Sequence, residues 1–199
     1  LYAGEVQCMD SPLKDALDAD DVLAHKQWPD TTDRSRVEGL KERVQYLRKH
    51  TDYAVSAKFV TSLGFLEHGG YLRGFQNFLC DLVADEDMAN AVCDQILKVK
   101  LDLYAMMLEE IDGDVDIVEI SEDFGTQSGL LISPETFRKY MQPRYKQIIA
   151  CIRERAATTR SRSAALVSPP SSDWRRSGRC AGTSRWMSMR SSSGPLILA

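Results

Sequence analysis

Apolar residues recur at helical spacing along five stretches of the chain. In each stretch they form one apolar face, with charged residues on the opposite side. The stretches are residues 12–24, one that begins at Ser35, one from Leu72 to Leu82, one from Asp85 to about Glu110, and one from Ser133 to Ile152. Asp85 and Ser133 are favourable N-caps, and Pro134 occupies the first helical position, where proline is tolerated. The pattern therefore predicts five helices.

Two shorter runs have the composition of strands. Tyr53–Val60 and Val115–Ile120 are rich in β-branched, aromatic and other apolar residues. The second run is apolar enough to be buried on both faces, which is typical of a parallel strand. Strands that alternate with helices favour an α/β fold. Two strands cannot close a sheet, so the pattern predicts an incomplete fold whose other strands lie outside the sequence.

Charge divides the chain near Ala157. Residues 1–157 hold 18 Lys and Arg against 28 Asp and Glu, whereas residues 158–199 hold seven Arg, no Lys and one acid. Hydrophobic periodicity also stops there, which predicts one folded unit over 1–157 and an Arg/Ser-rich tail over 158–199.

The tail has three interpretations: an out-of-frame translation, a flexible linker, or a disordered arm that binds nucleic acid through phosphate contacts. Arginine without any lysine, beside abundant serine, is typical of GC-rich DNA translated in the wrong frame. We therefore favour the frame slip and expect no nucleic-acid partner.

Cysteine usage indicates a reduced compartment. The five cysteines are scattered, and none has the C-x-x-C or Cys/His spacing of a zinc site. No apolar run approaches the roughly 18 residues that a membrane helix needs. We expect a cytoplasmic protein with no membrane partner and no metal bound by its own residues.

Polar residues follow both predicted strands. Glu122, Asp123 and Gln127 come after Val115–Ile120, and Glu67 and Arg73 come after the first strand. Side chains just past the carboxyl ends of parallel strands gather where α/β barrels bind substrate. Asp123 can accept hydrogen bonds from substrate N–H groups, Gln127 can donate and accept them, and Arg73 can pair with a carboxylate. These residues are the candidate substrate-binding set.

A structural interpretation of the same residues stays open. Aspartate and glycine after a strand are also ordinary turn residues. Arg73 has an equally simple role, which is to pair with Asp81 or to bind carbonyl groups at a helix end.

Five motifs of the chain have a recognisable pattern: Asp116-Ile-Val-Glu-Ile-Ser-Glu-Asp-Phe-Gly-Thr-Gln127, Leu131-Ile-Ser-Pro-Glu-Thr-Phe-Arg-Lys-Tyr140, Pro143-Arg-Tyr-Lys146, Leu72-Arg-Gly-Phe-Gln-Asn-Phe-Leu-Cys-Asp-Leu82 and Trp28-Pro-Asp30. With these motifs, residues 10–157 resemble the uroporphyrinogen decarboxylase family, especially its branch of decarboxylase-like and corrinoid-linked methyltransferase-like proteins. One departure is Glu122, where an aspartate is commoner in that family.

The resemblance implies a (β/α)8 TIM barrel, of which this chain would be an incomplete piece. As a partner we expect a second copy of the chain, in a homodimer. Decarboxylases of the family remove CO2 from acetate side chains of a tetrapyrrole in porphyrin biosynthesis and need no metal or organic cofactor. The methyltransferase branch instead uses a corrinoid and a zinc ion held by His and Cys residues. A third alternative is a non-catalytic barrel that binds a tetrapyrrole or corrinoid.

Both diagnostic regions fall outside the resemblance. The family's substrate arginines and aspartate would precede Leu1, and the zinc-binding His/Cys motif would follow Ala157. From a barrel that lacks strands we expect no turnover by the 199-residue chain.

Overall fold

The computed structural model describes residues 10–58, 63–158 and 164–166. Most of these residues are helical. The helices are α1 (Ala19–Ala24), α2 (Leu40–His50), α3 (Phe65–Arg73), α4 (Phe75–Ala84), α5 (Glu86–Glu110), α6 (Pro134–Thr136) and α7 (Gln142–Thr158), with a 3-10 turn at Arg34–Val37 and a π-helical segment at Phe137–Met141.

Three parallel strands form a small sheet in the order β1-β2-β3. They are β1 (Ser56–Lys58), β2 (Ile117–Glu119) and β3 (Ala164–Leu166), and each has three residues. Ala57 and Ala165 both pair with Val118, on opposite sides of β2. The parallel arrangement that the strand patterns predict is therefore present, over three residues a strand in the described part of the chain.

Helix α5 lies at the centre of the described part of the chain. It packs against α1, α3, α4 and α7, and twelve of its 25 residues are buried. Its buried side chains, together with those of α3 and α7, form most of one continuous apolar core. The core is therefore built mainly from contacts between helices.

The prediction of an α/β fold formed by an incomplete (β/α)8 TIM barrel is wrong. The described residues form a helix-rich structure, and nine residues in three short strands do not make a barrel wall. Among the described residues, the apolar runs that suggested long strands contribute three residues each to the sheet. The rest of the burial is supplied by helices.

Asp116 limits the first strand pair at its beginning. Its Oδ2 accepts a hydrogen bond of 2.8 Å from the backbone N–H of Val55, a donor that would otherwise be free to extend the ladder. The same oxygen accepts a 2.6 Å hydrogen bond from Arg48 of α2. A side chain thus takes the place of the next strand pairing and fastens α2 to the sheet.

The local signals for helix ends are confirmed at two caps. Asp85 accepts a hydrogen bond from the backbone N–H of Met88 at the start of α5, and Ser133 accepts one from Thr136 at the start of α6. The helix predicted over residues 12–24 is shorter, because only Ala19–Ala24 is helical there.

The predicted tail is partly outside the described residues. Within it, Ala164–Leu166 forms β3 and pairs with β2. The remainder of 158–199 beyond Thr158 and these three residues, and with it the interpretation as an out-of-frame or disordered segment, lies outside the described part of the chain.

Candidate functional site

A cluster of ionisable side chains surrounds the first turn of α3, close to the carboxyl end of β2. Glu122 follows β2 by three residues and reaches across to α3. One of its oxygens, Oε2, accepts hydrogen bonds from the backbone N–H groups of Phe65 (2.5 Å) and Leu66 (3.2 Å). These N–H groups have no partner inside the helix, and the helix dipole favours a negative charge at this end. Glu122 therefore acts as a cap supplied from a distant part of the sequence.

Tyr145 of α7 closes the other side of the carboxylate. Its hydroxyl donates a 2.7 Å hydrogen bond to Oε2 of Glu122. The Tyr145 ring packs edge-on against Phe65, with 5.0 Å between ring centroids, and is inclined by 29° to the Phe137 ring, whose centroid lies 6.4 Å away. The hydroxyl is therefore held in place by a packed ring.

Gly64 is the residue that lets the carboxylate approach. A Cβ atom at this position would lie 2.0 Å from Cδ of Glu122, far inside van der Waals contact. Any side chain here would push Glu122 away from the N–H groups of α3. The glycine is required by close approach and not by an unusual backbone angle, since its φ is −82°.

Burial raises the pKa of Glu122 to about 7. The hydrogen bonds from Tyr145, Leu66 and Phe65 act in the opposite direction, and the nearby Glu67 adds to the rise. Burial disfavours the charged form of a carboxyl group, whereas donors favour it. The result is a carboxyl group that exchanges a proton near neutral pH.

Lys100 brings a positive charge into the same cluster from the middle of α5. Only 4% of the residue is exposed, and its ammonium donates a 2.6 Å hydrogen bond to the backbone carbonyl of Leu63. Burial lowers the pKa of Lys100 to about 8, although Glu122 and Glu67 both act to raise it. The ammonium also lies 5.9 Å from the centroid of the Phe65 ring.

Two further side chains bind the same turn of backbone. Glu67 accepts a 3.4 Å hydrogen bond from the N–H of Gly64, and Nδ1 of His68 donates to the Gly64 carbonyl at 2.8 Å. Burial is the largest cause that lowers the pKa of His68, to about 4, and the positive charge of Lys100 adds to it. The imidazole is therefore neutral at pH 7, with its proton on Nδ1.

The structure separates the five residues of the predicted substrate-binding set. Glu122 and Glu67 lie in the cluster around α3. Asp123 and Gln127 lie on the exposed loop that follows, where Asp123 accepts a 3.1 Å hydrogen bond from the N–H of Gly125. This loop folds back on itself through a bridge between Gly125 and Leu130.

Arg73 lies at the far end of α3, in a structural role. Its Nε donates a 2.9 Å hydrogen bond to Asp81, and its Nη1 donates to the carbonyls of Leu13 and Lys14. The Arg73 and Asp81 side chains are only 12% and 10% exposed. The alternative interpretation of Arg73, as the partner of Asp81, describes this arrangement.

The predicted substrate-binding set does not include three residues of the observed cluster, which are Lys100, Tyr145 and Gly64. Lys100 could have been found from the sequence, because it falls among the apolar residues of α5 between Ile96 and Met107. A lysine is rarely buried unless its charge has a partner. Tyr145 could not have been found in this way, since an aromatic residue on the apolar face of a helix is usually an ordinary core residue.

No metal-binding group is present in the described part of the chain, where no three His, Cys, Asp or Glu side chains are arranged to hold an ion. Across residues 10–58, 63–158 and 164–166, no helix combines the length and the apolar character needed to cross a bilayer. The three cysteines at 80, 93 and 151 are free thiols.

The chain was compared with protein-family models, with curated proteins and with solved structures, and none of them matches it.

Proposed function

We propose that the protein is a proton-transferring enzyme of the decarboxylase type, which removes CO2 from acidic side chains of a tetrapyrrole. The observation that carries the proposal is the Glu122 carboxyl group, held by two backbone N–H groups and by Tyr145, with a pKa of about 7. A general acid or base is most effective when its pKa lies near the working pH.

Decarboxylation of an acetate side chain needs two protons to be delivered, one to the ring and one to the methylene carbon, and one to be taken back from the ring. Protonation of the pyrrole ring makes it an electron sink, the bond to the carboxylate carbon then breaks, and CO2 leaves while the bonding electrons flow into the ring. A second proton converts the resulting methylene group into methyl, and the ring loses the first one. Glu122 is the group that we assign to this proton exchange.

Asp123 and Gln127 are the proposed ligand contacts on the neighbouring loop. Both are exposed, and they follow Glu122 directly along the chain. Asp123 would accept hydrogen bonds from pyrrole N–H groups, and Gln127 would bind a substrate oxygen. Arg73 is not included, because its guanidinium is engaged by Asp81 and by two carbonyl groups.

The alternative is methyl transfer between a corrinoid and an acceptor activated by zinc. The described residues include no set of three metal-ligating side chains, so no observation in this part of the chain favours it over decarboxylation. A cytoplasmic location and a homodimer also stay predictions.

Turnover by the 199-residue chain tests the proposal. The expectation of no turnover rested on an incomplete barrel, which the described residues do not form. We expect uroporphyrinogen to lose CO2, measured by chromatography of the oxidised porphyrin products, and Glu122→Gln to slow this reaction by at least about 100-fold. Asp20→Asn, at an exposed position of α1, is the matched control and should leave the rate unchanged.

Binding separates the remaining outcomes. Titration with uroporphyrin, followed by its absorbance, should show a complex that Asp123→Asn weakens. Binding without turnover would replace the proposal with a non-catalytic ligand-binding protein. If the chain neither binds uroporphyrin nor converts uroporphyrinogen, the proposal is overturned.

A further inference from the structure

Ionisable side chains from distant positions bind the backbone segment from Leu63 to Leu66, whose Phe65 and Leu66 side chains lie in the apolar core. Lys100 binds the Leu63 carbonyl, and Glu122 binds the N–H groups at the start of α3. Each of these two contacts spans a large separation along the chain. The position of this segment therefore depends on side-chain charges as well as on apolar packing.

Lys100 and Glu122 approach the segment from different elements. Lys100 extends from α5, the central helix, whereas Glu122 extends from the loop after β2. The Leu63 carbonyl that Lys100 binds precedes the Phe65 N–H that Glu122 binds by only two residues. If the Lys100 contact were lost and the turn shifted, the backbone N–H groups that bind Glu122 would therefore move with it.

We propose that Lys100 is a positioning residue, which anchors the turn Leu63–Leu66 through the Leu63 carbonyl and so places the two backbone N–H groups that hold the Glu122 carboxylate. Its role in catalysis rests on the proposed function of Glu122. Its positioning role does not, because that role concerns the protein without substrate.

The charges around Glu122 are consistent with this role. From α3 the cluster includes Glu67 and His68, from α5 Lys100 and Tyr104, and from α7 Tyr145, while Glu119 lies at the end of β2. His68 is neutral at pH 7, and the Tyr104 hydroxyl donates to the Glu119 carbonyl. Lys100 is thus the positive group among these side chains that balances Glu122.

Substitution of Lys100 by methionine tests the role. Methionine keeps the apolar stem but removes both the anchor and the charge. The Glu122 charge acts on Lys100, and the same attraction acts in return on Glu122. Loss of this attraction and displacement of the N–H donors at the start of α3 both disfavour the charged carboxylate, so the pKa of Glu122 should rise above 7 by about one unit. The pKa is measured without substrate by 13C NMR titration of the Glu122 side-chain carboxyl carbon.

Lys98→Met is the matched control, since Lys98 is an exposed lysine of the same helix, paired with Asp102. It should leave the pKa of Glu122 unchanged. Lys100→Arg keeps the charge and should leave that pKa within a few tenths of a unit of the wild-type value. If Lys100→Met lowers the melting temperature but leaves the pKa of Glu122 where it was, Lys100 is only structural and the proposal is overturned.

A measurement on the unaltered protein covers the case in which Lys100→Met does not fold. The 15N shift of the Gly64 amide, which is bonded to the Leu63 carbonyl carbon, should show a titration step near pH 8 as Lys100 loses its proton. The step should persist in Lys98→Met and disappear in Lys100→Arg. Absence of the step in the wild-type protein would overturn the proposal, whether or not the chain proves to be a decarboxylase.

Discussion

The hydroxyl of Tyr145 donates a 2.7 Å hydrogen bond to the carboxylate of Glu122, a residue 23 positions earlier in the chain. This bond completes the set of donors around Glu122, of which the other two are backbone N–H groups of α3. Tyr145 thereby links α7, the loop after β2 and the first turn of α3 at one carboxylate.

Tyr145→Phe should raise the pKa of Glu122 above its value of about 7, because a donor to the charged form is lost while burial is retained. The free energy of unfolding should fall by about 1 kcal/mol. Carboxyl 13C titration gives the first value and urea denaturation gives the second. An unchanged pKa would show that the hydroxyl does not stabilise the carboxylate.

Gly64→Ala should destabilise the protein by about 2 kcal/mol, since the new methyl group would lie 2.0 Å from Cδ of Glu122 and one of them must move. Gly125→Ala is the control, because the nearest atom to a Cβ there is 4.0 Å away. Its effect on the free energy of unfolding should stay within about 0.5 kcal/mol. Equal effects of the two substitutions would contradict the close contact between Gly64 and Glu122.

The pH dependence of stability should reveal Glu122 through its raised pKa. A carboxyl group of pKa 4.5 when unfolded and about 7 when folded contributes stability below pH 4.5, and this contribution is lost as the pH rises through 7. The difference in unfolding free energy between wild type and Glu122→Gln should therefore decrease by up to about 3 kcal/mol across this window. Urea denaturation at pH 4, 5, 6, 7 and 8 measures it, and a constant difference would refute the raised pKa.

His68 should act in the opposite direction over nearly the same pH range. Its pKa is 6.5 when unfolded and about 4 when folded, so its contribution to stability is present above pH 6.5 and is lost as the pH falls through 4. The advantage of wild type over His68→Asn should therefore shrink as the solution is acidified. The double variant His68→Asn/Glu122→Gln should show a flatter pH profile than either single variant, and a steeper one would contradict these opposed contributions.

Arg73→Ala should cost about 3 to 5 kcal/mol of stability, because it leaves the largely buried Asp81 without its partner. Arg36→Ala, at an exposed arginine, should change stability by less than about 0.5 kcal/mol. Chemical denaturation compares the two. A small effect of Arg73→Ala on stability, together with a large effect on tetrapyrrole binding, would return Arg73 to the substrate-binding set.

Features that depend on neighbours in the chain were predictable from the sequence. Asp85 and Ser133 cap helices as predicted, since a cap needs only a suitable side chain beside the first free N–H groups. The extent of the strands was not predictable, because apolar runs have the same appearance in a long strand and in a short strand beside packed helices. Asp116 ends the pairing of β1 and β2 through a hydrogen bond to Val55, 61 residues away.

The candidate site was predictable only in part, for the same reason. The position of Glu122 just after an apolar run indicated a site, and the structure places its carboxylate at the start of α3. Nothing in the spacing of Glu122, Lys100 and Tyr145 shows that they meet, since they come from three elements brought together by tertiary packing. The fold prediction failed because two apolar runs and a family resemblance were extended to a complete architecture, whereas helix packing around α5 dominates the described core.

The pKa of Glu122 in the wild-type protein tests the central claim most directly. It is measured by following the side-chain carboxyl 13C shift from pH 3 to 9, with Glu122→Gln used to assign the signal. A buried carboxyl group held by α3 and Tyr145 predicts a midpoint near 7. A midpoint near 4.5, the value of a solvated glutamate, would contradict it.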